Sequence, residues 1–177
     1  MNAIPRSRTT ARHWRSITKT VIFGDADAVV ALYVDVIRNC KRKGWNRTGR
    51  VLTRRLSRGH GVFIGYGARI GSGLTLRHPV GIVIGEGVTI GQDITIYQNV
   101  TIGGARIGDF SAGNYPAIGD GTVIFAGAAI LGAIRIGRNC TIGANAVVIS
   151  DVPDGATAIG VPARILLPDD GAAGVAL

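Results

Sequence analysis

The sequence predicts an all-β solenoid, a parallel β-helix, with a short helical region at its N-terminal end. Three observations predict it. Aliphatic residues recur at every sixth position from Ile64 onward, a period that is neither the 3.6 of an amphipathic helix nor the 2 of a flat strand. Glycine is abundant, 27 of 177 residues, roughly twice the usual ~7 %, and it often follows the aliphatic position. Charge is partitioned as well. Residues 1–60 hold 14 Lys and Arg against 3 Asp, a balance of +11, whereas residues 61–177 hold 6 against 8, a balance of −2. A basic segment and a near-neutral repetitive body therefore share one domain-sized chain.

Taken in order, residues 1–60 read as a basic arm followed by helices. The first twenty residues are rich in Ser, Thr and Arg and free of acids. The next segment predicts a helix capped by Asp25, with Val29, Leu32, Tyr33 and Val36 on one face. The stretch KRKGW breaks it, and a second helix starts at a cap on Asn46, with Val51, Leu52 and Leu56 as its apolar side. Residues 61–167 form the solenoid. Its aliphatic series runs through Ile64, Ile70, Leu76 and Ile82, resumes two residues out of step at Ile84, Ile90, Ile96 and Ile102, and continues from Ile118 to Val148. Short strands joined at sharp corners give that period: every sixth side chain points inward, three strands close one coil, and stacked coils bury each other's aliphatic layers. Glycine suits the corners because it tolerates backbone conformations that a side chain forbids. Residues 168–177 are a short tail.

The metre breaks twice. Two extra residues enter around Arg77–Gly81, with His78 at the slip, and the step from Ile102 to Ile118 exceeds two repeats by four positions. Extra residues must bulge outward from a solenoid, so both breaks are expected to face one cleft. Counting three repeats per coil puts Gln98 one coil beyond His78 and His60 about one coil before it.

The segments RHPVGIVIGE, NVTIGG, AGAAILG and GVPAR, in that order and spread over about residues 60–167, resemble the hexapeptide-repeat acyltransferases of left-handed parallel β-helix fold, and within them the serine acetyltransferase and polysaccharide O-acetyltransferase branch. The resemblance implies the left-handed sense of the coil, a homotrimer, and transfer of acetyl from acetyl-CoA to an acceptor hydroxyl. His78 aligns with the family's general base, and histidine exchanges protons near neutral pH. No nucleophile beside a second base is apparent, which favours direct transfer over an acyl-enzyme. By alignment Gly103, Gly104, Ala126 and Ala144 line the acetyl-CoA groove, and Arg138 and Arg164 meet the nucleotide phosphates. Arg77, Gln98 and Tyr115 are the expected substrate contacts.

Several positions depart from the serine acetyltransferase pattern. Phe63 stands where those enzymes carry a carboxylate that orients the base, Arg77 where they carry an Asp, and Asn114-Tyr115-Pro116 where they carry Arg-His-Pro. These losses point to a sugar hydroxyl in glycan or polysaccharide biosynthesis as acceptor, with serine as the alternative. A lipid-linked glycan at an anionic membrane surface would also give the basic N-terminal segment a use. Asp93, Asp109 and Glu86 are candidates to orient His78 in place of the missing carboxylate. A non-catalytic β-helix used for assembly or binding is a competing class. A zinc-dependent carbonic anhydrase on the same fold needs three histidines on adjacent coils, and the chain has only His13, His60 and His78. No metal is expected, and no nucleic-acid recognition motif accompanies the positive charge. Cys40 and Cys140 do not form a disulfide framework, and no apolar run approaches the ~20 residues of a membrane span. A cytoplasmic protein, in places peripheral to the inner face of the membrane, is the expectation.

Overall fold

A computed structural model describes residues 25–168. The basic arm over residues 1–20 and all but the first residue of the tail lie outside the described residues. The described residues begin with two helices, α1 (Ala26–Arg42) and α2 (Asn46–His60). Fifteen short strands follow, β1 (Phe63–Ile64) to β15 (Arg164–Leu166), interrupted by a single helical turn, α3 (Asp109–Ala112).

The strands stack as the period of six requires. Every third strand pairs in parallel, giving three faces: β1-β4-β7-β10-β13, β2-β5-β8-β11, and β3-β6-β9-β12-β14. β15 closes the last face by pairing antiparallel to β14. The residues at the register positions Ile64, Ile84, Ile102, Ile130 and Val148 lie directly over one another, and all are buried. A second inward layer comes from the corners. Ile82 belongs there, with Val62 and Val100, all fully buried, which is why the aliphatic series seems to restart at Ile84. The polar member of this layer is Thr122, whose hydroxyl donates to the Gly137 carbonyl and accepts from the Cys140 N–H. Cys40 and Cys140 are both free and buried, and desolvation pushes the Cys140 thiol up from its ordinary pKa.

The register measures both breaks. Phe63 pairs with Val83, and Val83 pairs with Thr101. The first of these coils is longer than the second by two positions, so the insertion near His78 is two residues. Thr101 pairs with Ala129, which makes that coil longer than a regular one by ten positions. The second insertion is therefore ten residues rather than the four expected. Counting two repeats between Ile102 and Ile118 assumed an intervening strand. None is present there, because the loop joins β7 (Thr101–Gly103) directly to β8 (Ala117–Ile118).

The helices plug the open end of the coil. Asp25 caps α1 by accepting from the Ala28 N–H at 2.8 Å, as the sequence predicts. The buried face is Val30, Val34 and Ile37, however, one position round from the expected Val29, Leu32, Tyr33 and Val36. A helix lying across a solenoid end buries the stripe that meets the coil, here packed with Ile64 and Ile84 in one core. Asn46 is the first residue of α2 rather than its cap, and its side chain instead accepts from the Tyr66 hydroxyl at 2.9 Å. Val51 is exposed, and Leu56 carries the contact. Among the described residues no helix is long and apolar enough to cross a membrane.

Ile96 is fully buried between the Leu76 and Ile124 layers. Replacing it by Ala should cost ~2–5 kcal/mol, since coils held at backbone spacing cannot collapse into the void. Urea unfolding of the Ile96→Ala variant measures this.

Candidate active site

Three sheets meet at three edges, and the edges sort the candidate residues. His78 lies between β3 (Thr75–Leu76) and β4 (Val83–Ile84). Its φ is +48°, a left-handed conformation that non-glycine residues seldom adopt and that His, Asn and Asp tolerate best. Its carbonyl accepts from the Val80 N–H at 2.7 Å. Its own N–H donates to Asp27 Oδ1 at 3.0 Å. Asp27 belongs to the first turn of α1 and is left free for this because Asp25 does the capping. The other Asp27 oxygen lies 4.0 Å from the Arg77 guanidinium. The bulge that exposes His78 is thus tied to a helical plug far from it in sequence.

The same edge carries Gln98, Ala126 and Ala144, one on each succeeding coil. The Gly127 N–H donates to the Gln98 carbonyl, and the Asn145 N–H to that of Ala126. Gln98 Oε1 is buried and has no hydrogen-bond partner. An unpaired buried acceptor costs about 1–3 kcal/mol, which a donating ligand group would recover. One residue before Gln98 and Ala126, Tyr97 and Phe125 stack with ring centroids 5.1 Å apart and planes 12° from parallel. This pair forms an aromatic wall beside the column, which the sequence reading did not pick out.

The other candidates sit elsewhere in the same chain. Tyr115 lies over Gly85 and Gly87, on the edge between β4 and β5 (Thr89–Ile90); a Cβ at Gly85 would come within 2.8 Å of its ring. Gly103 and Gly104 open the ten-residue insertion on that same edge. Gly103 has open space beside it, whereas Gly104 is packed by the Asp109 side chain. The two breaks in the metre therefore do not share a cleft within one chain, because one interrupts the third-to-first face corner and the other the first-to-second. Arg138 lies on the third edge, 4.0 Å from Asp120, with its N–H donating to Asp154. Arg164 is the exception: exposed on β15, it pairs with Ile159 at the end of β14 and so returns to the corner that carries Ala144. His60 ends α2 with its ring 5.7 Å from that of Tyr33 and is not in a coil before His78; helix, not strand, occupies that place.

The three carboxylates considered as partners of His78 are engaged elsewhere. Glu86 accepts from the Gly67 N–H at 2.8 Å. Asp93 sits at its own left-handed corner against Gly73. Asp109 organises its loop, accepting from the Ala105 and Arg106 N–H groups and from the Asn114 amide at 2.7, 2.7 and 3.1 Å. The Asn114 bond first, then the Arg106 N–H, hold its carboxyl below the ordinary range. Among the described residues no three His, Cys, Asp or Glu side chains are grouped to hold a metal.

The profile of the bacterial transferase hexapeptide (six repeats) matches residues 115–150. The match lies within the coil of this chain. Serine acetyltransferases are among its homologues: that of Helicobacter pylori strain J99 is 49 % identical over 62 residues, 35 % of this chain and 36 % of the relative, and that of Haemophilus influenzae is 49 % identical over 65 residues, 37 % and 24 %. The chain thus spans about a third or less of the curated relatives' length. Among solved structures, soybean serine acetyltransferase complexed with serine superposes with a TM-score of 0.70 at 37 % identity, covering 78 % of this chain and 56 % of that one. A serine acetyltransferase in complex with CoA gives 0.71 at 34 %, covering 89 % and 66 %.

Two outcomes follow for the bulge and the loop. Asp27→Ala frees the His78 backbone and should speed hydrogen exchange at the corner of residues 77–80 roughly tenfold or more, as loss of a local constraint does, with unfolding of the helical plug checked separately by circular dichroism. Asp109 has a depressed pKa, so its stabilising effect is present above the ordinary carboxylate range and is lost as pH falls below it. Loop proteolysis should stay slow at pH 5 and accelerate below pH ~3.9, the unperturbed value, whereas Asp109→Ala should be cleaved quickly at both.

Proposed function

We propose that the chain is an acetyl-CoA-dependent O-acetyltransferase acting on the hydroxyl of serine, with His78 as general base. The observation that carries this is the His78 bulge, fixed in a left-handed conformation by Asp27, with the unpartnered Gln98 Oε1 on the next coil. The sequence alone points to a sugar acceptor because Phe63 and Arg77 replace carboxylates. Asp27 returns a carboxylate to the neighbourhood of His78 by another route. Asp27 and Gln98 are hydrogen-bond acceptors, suited to an ammonium or hydroxyl donor. The relatives and the serine-bound neighbour favour the amino-acid acceptor, and a glycan or a membrane surface as partner finds no support in them.

In the proposed reaction the imidazole takes the hydroxyl proton as the oxygen attacks the thioester carbonyl. The tetrahedral intermediate collapses with cleavage of the C–S bond, and the imidazolium returns the proton to the leaving thiolate. The products are the O-acetyl ester and CoA. Ala126 and Ala144, small residues on the same column as His78, leave room for the pantetheine arm, and the Tyr97–Phe125 wall gives it an apolar side. Arg138 stands on another edge of the chain, so in this reading it reaches the nucleotide phosphates only from a neighbouring copy, whereas Arg164, opposite Ile159 at the end of β14, lies at the same corner as Ala144.

A left-handed, trimeric assembly also belongs to this reading. The loop with Tyr115 and the His78 bulge occupy different edges of one chain, and a second copy would bring them together. Ile107 and Phe110, strongly exposed on that loop, supply apolar surface for such a contact.

CoA release from acetyl-CoA is the test, with L-serine or a sugar panel as acceptor against a blank. Release with serine alone, falling about 100-fold or more in His78→Ala, is the expected result. Release with sugars alone returns the acceptor to a glycan hydroxyl, and unchanged turnover in His78→Ala removes the histidine from the mechanism.

A further inference from the structure

A second concave site lies away from His78, where the C-terminal end of α1 overhangs the first coils. The cavity measures ≈ 590 Å³, within the ~300–1,000 Å³ range of small-molecule sites. Its floor is apolar, with Val34, Ile37 and Ile64 among its lining residues. Its rim carries Arg38, Lys41, Arg42, Arg50 and Arg69 against only Asp35 and Glu86, five cations to two carboxylates, an excess of +3.

Two of the cations, Lys41 and Arg50, are held in place. Lys41 donates to the Ala68 carbonyl at 2.6 Å and lies 4.9 Å from the centre of the Tyr66 ring. The Arg50 guanidinium lies 5.2 Å from the same ring, and Tyr66 is itself tethered to Asn46. Among the described residues the ion pair at this rim is Arg38–Asp35; Glu86 uses one oxygen on the Gly67 N–H. Lys41 uses one of its three donors on Ala68.

We infer that this cavity binds a small multiply charged anion of the phosphomonoester class with an apolar body behind it, about the size of a nucleotide. The charge excess calls for more than one negative charge, which a phosphomonoester carries near neutral pH. Arginine forks match phosphate oxygens in pairs. The floor of Val34, Ile37 and Ile64 accommodates a ring or chain that a bare inorganic anion lacks. Burial lowers the Lys41 pKa, with Glu86 opposing, as befits a cation short of counter-charge. The proposed acetyl transfer assigns nothing to these residues: they gather at the corner between β1 and β2, on the first coils of the edge that carries the Tyr115 loop and away from the His78 column of the same chain, and the inference, which rests on that reading, is a binding site separate from the reaction.

Calorimetric titration of the full chain at low salt with adenosine 5′-monophosphate and, separately, with inorganic pyrophosphate tests it. Adenosine monophosphate is expected to saturate in the submillimolar range, about tenfold more tightly than pyrophosphate, and to be unaffected by saturating CoA. Arg50→Met, at an exposed position outside the core, should weaken it about tenfold or more without changing serine-dependent CoA release, and Lys41→Met should do the same. Failure of both ligands to saturate at millimolar concentration, binding indifferent to Arg50→Met, or displacement by CoA would each overturn the proposal; the last would make the cavity part of the CoA groove.

Discussion

The parallel hydrogen-bond ladder between coils is the constraint on which the rest depends. It fixes the coils about 4.8 Å apart and forces residues related by one turn to lie over one another. An aliphatic column such as Ile84, Ile102, Ile130 and Val148 is then buried at every level, and the core needs little from aromatic rings. The same ladder leaves only the corners free to vary. Function on such a scaffold is therefore written at corners, as an extra residue or a missing side chain.

His78 shows how a corner is altered at tolerable cost. Two added residues carry it outward, and its left-handed backbone conformation is offset by a specific bond: its N–H, which lies outside the ladder, is taken by Asp27. The helical plug thereby has two duties. Its apolar stripe closes the end of the core through Val30 and Val34, and its first turn holds the exposed histidine. α1 is about 25 Å long at 1.5 Å per residue, long enough to cross the end of the prism. Its N-terminal end therefore meets the His78 edge while its C-terminal end, with Lys41, meets another.

The ten-residue loop solves its own problem locally. Asp109 gathers two main-chain N–H groups and the Asn114 amide, so the loop keeps a defined shape while displaying Ile107 and Phe110. Tyr115 closes it by lying on Gly85 and Gly87, where any Cβ would collide with the ring. The loop is thus built onto the coil rather than hanging from it, and its apolar tip stands on a different edge from its own chain's histidine.

The period of six determined the coil, its inward residues and the positions of both interruptions, because each inward position is set by local spacing along the chain. The N-cap at Asp25 and the two helices were legible for the same reason: caps and helical periodicity are short-range. Tertiary structure alone decided the rest. The buried stripe of α1 rotated by one residue because the coil end, not the helix, chooses which side is covered. Asp27 became the partner of His78 from a distant part of the sequence, and no local pattern marks such a pairing beyond a second carboxylate beside an already sufficient cap. The ten-residue size of the second insertion, and its placement on a different edge from the first, came from strand pairing. Spacing along the chain counts residues, but only the ladder shows which coil and which edge they belong to.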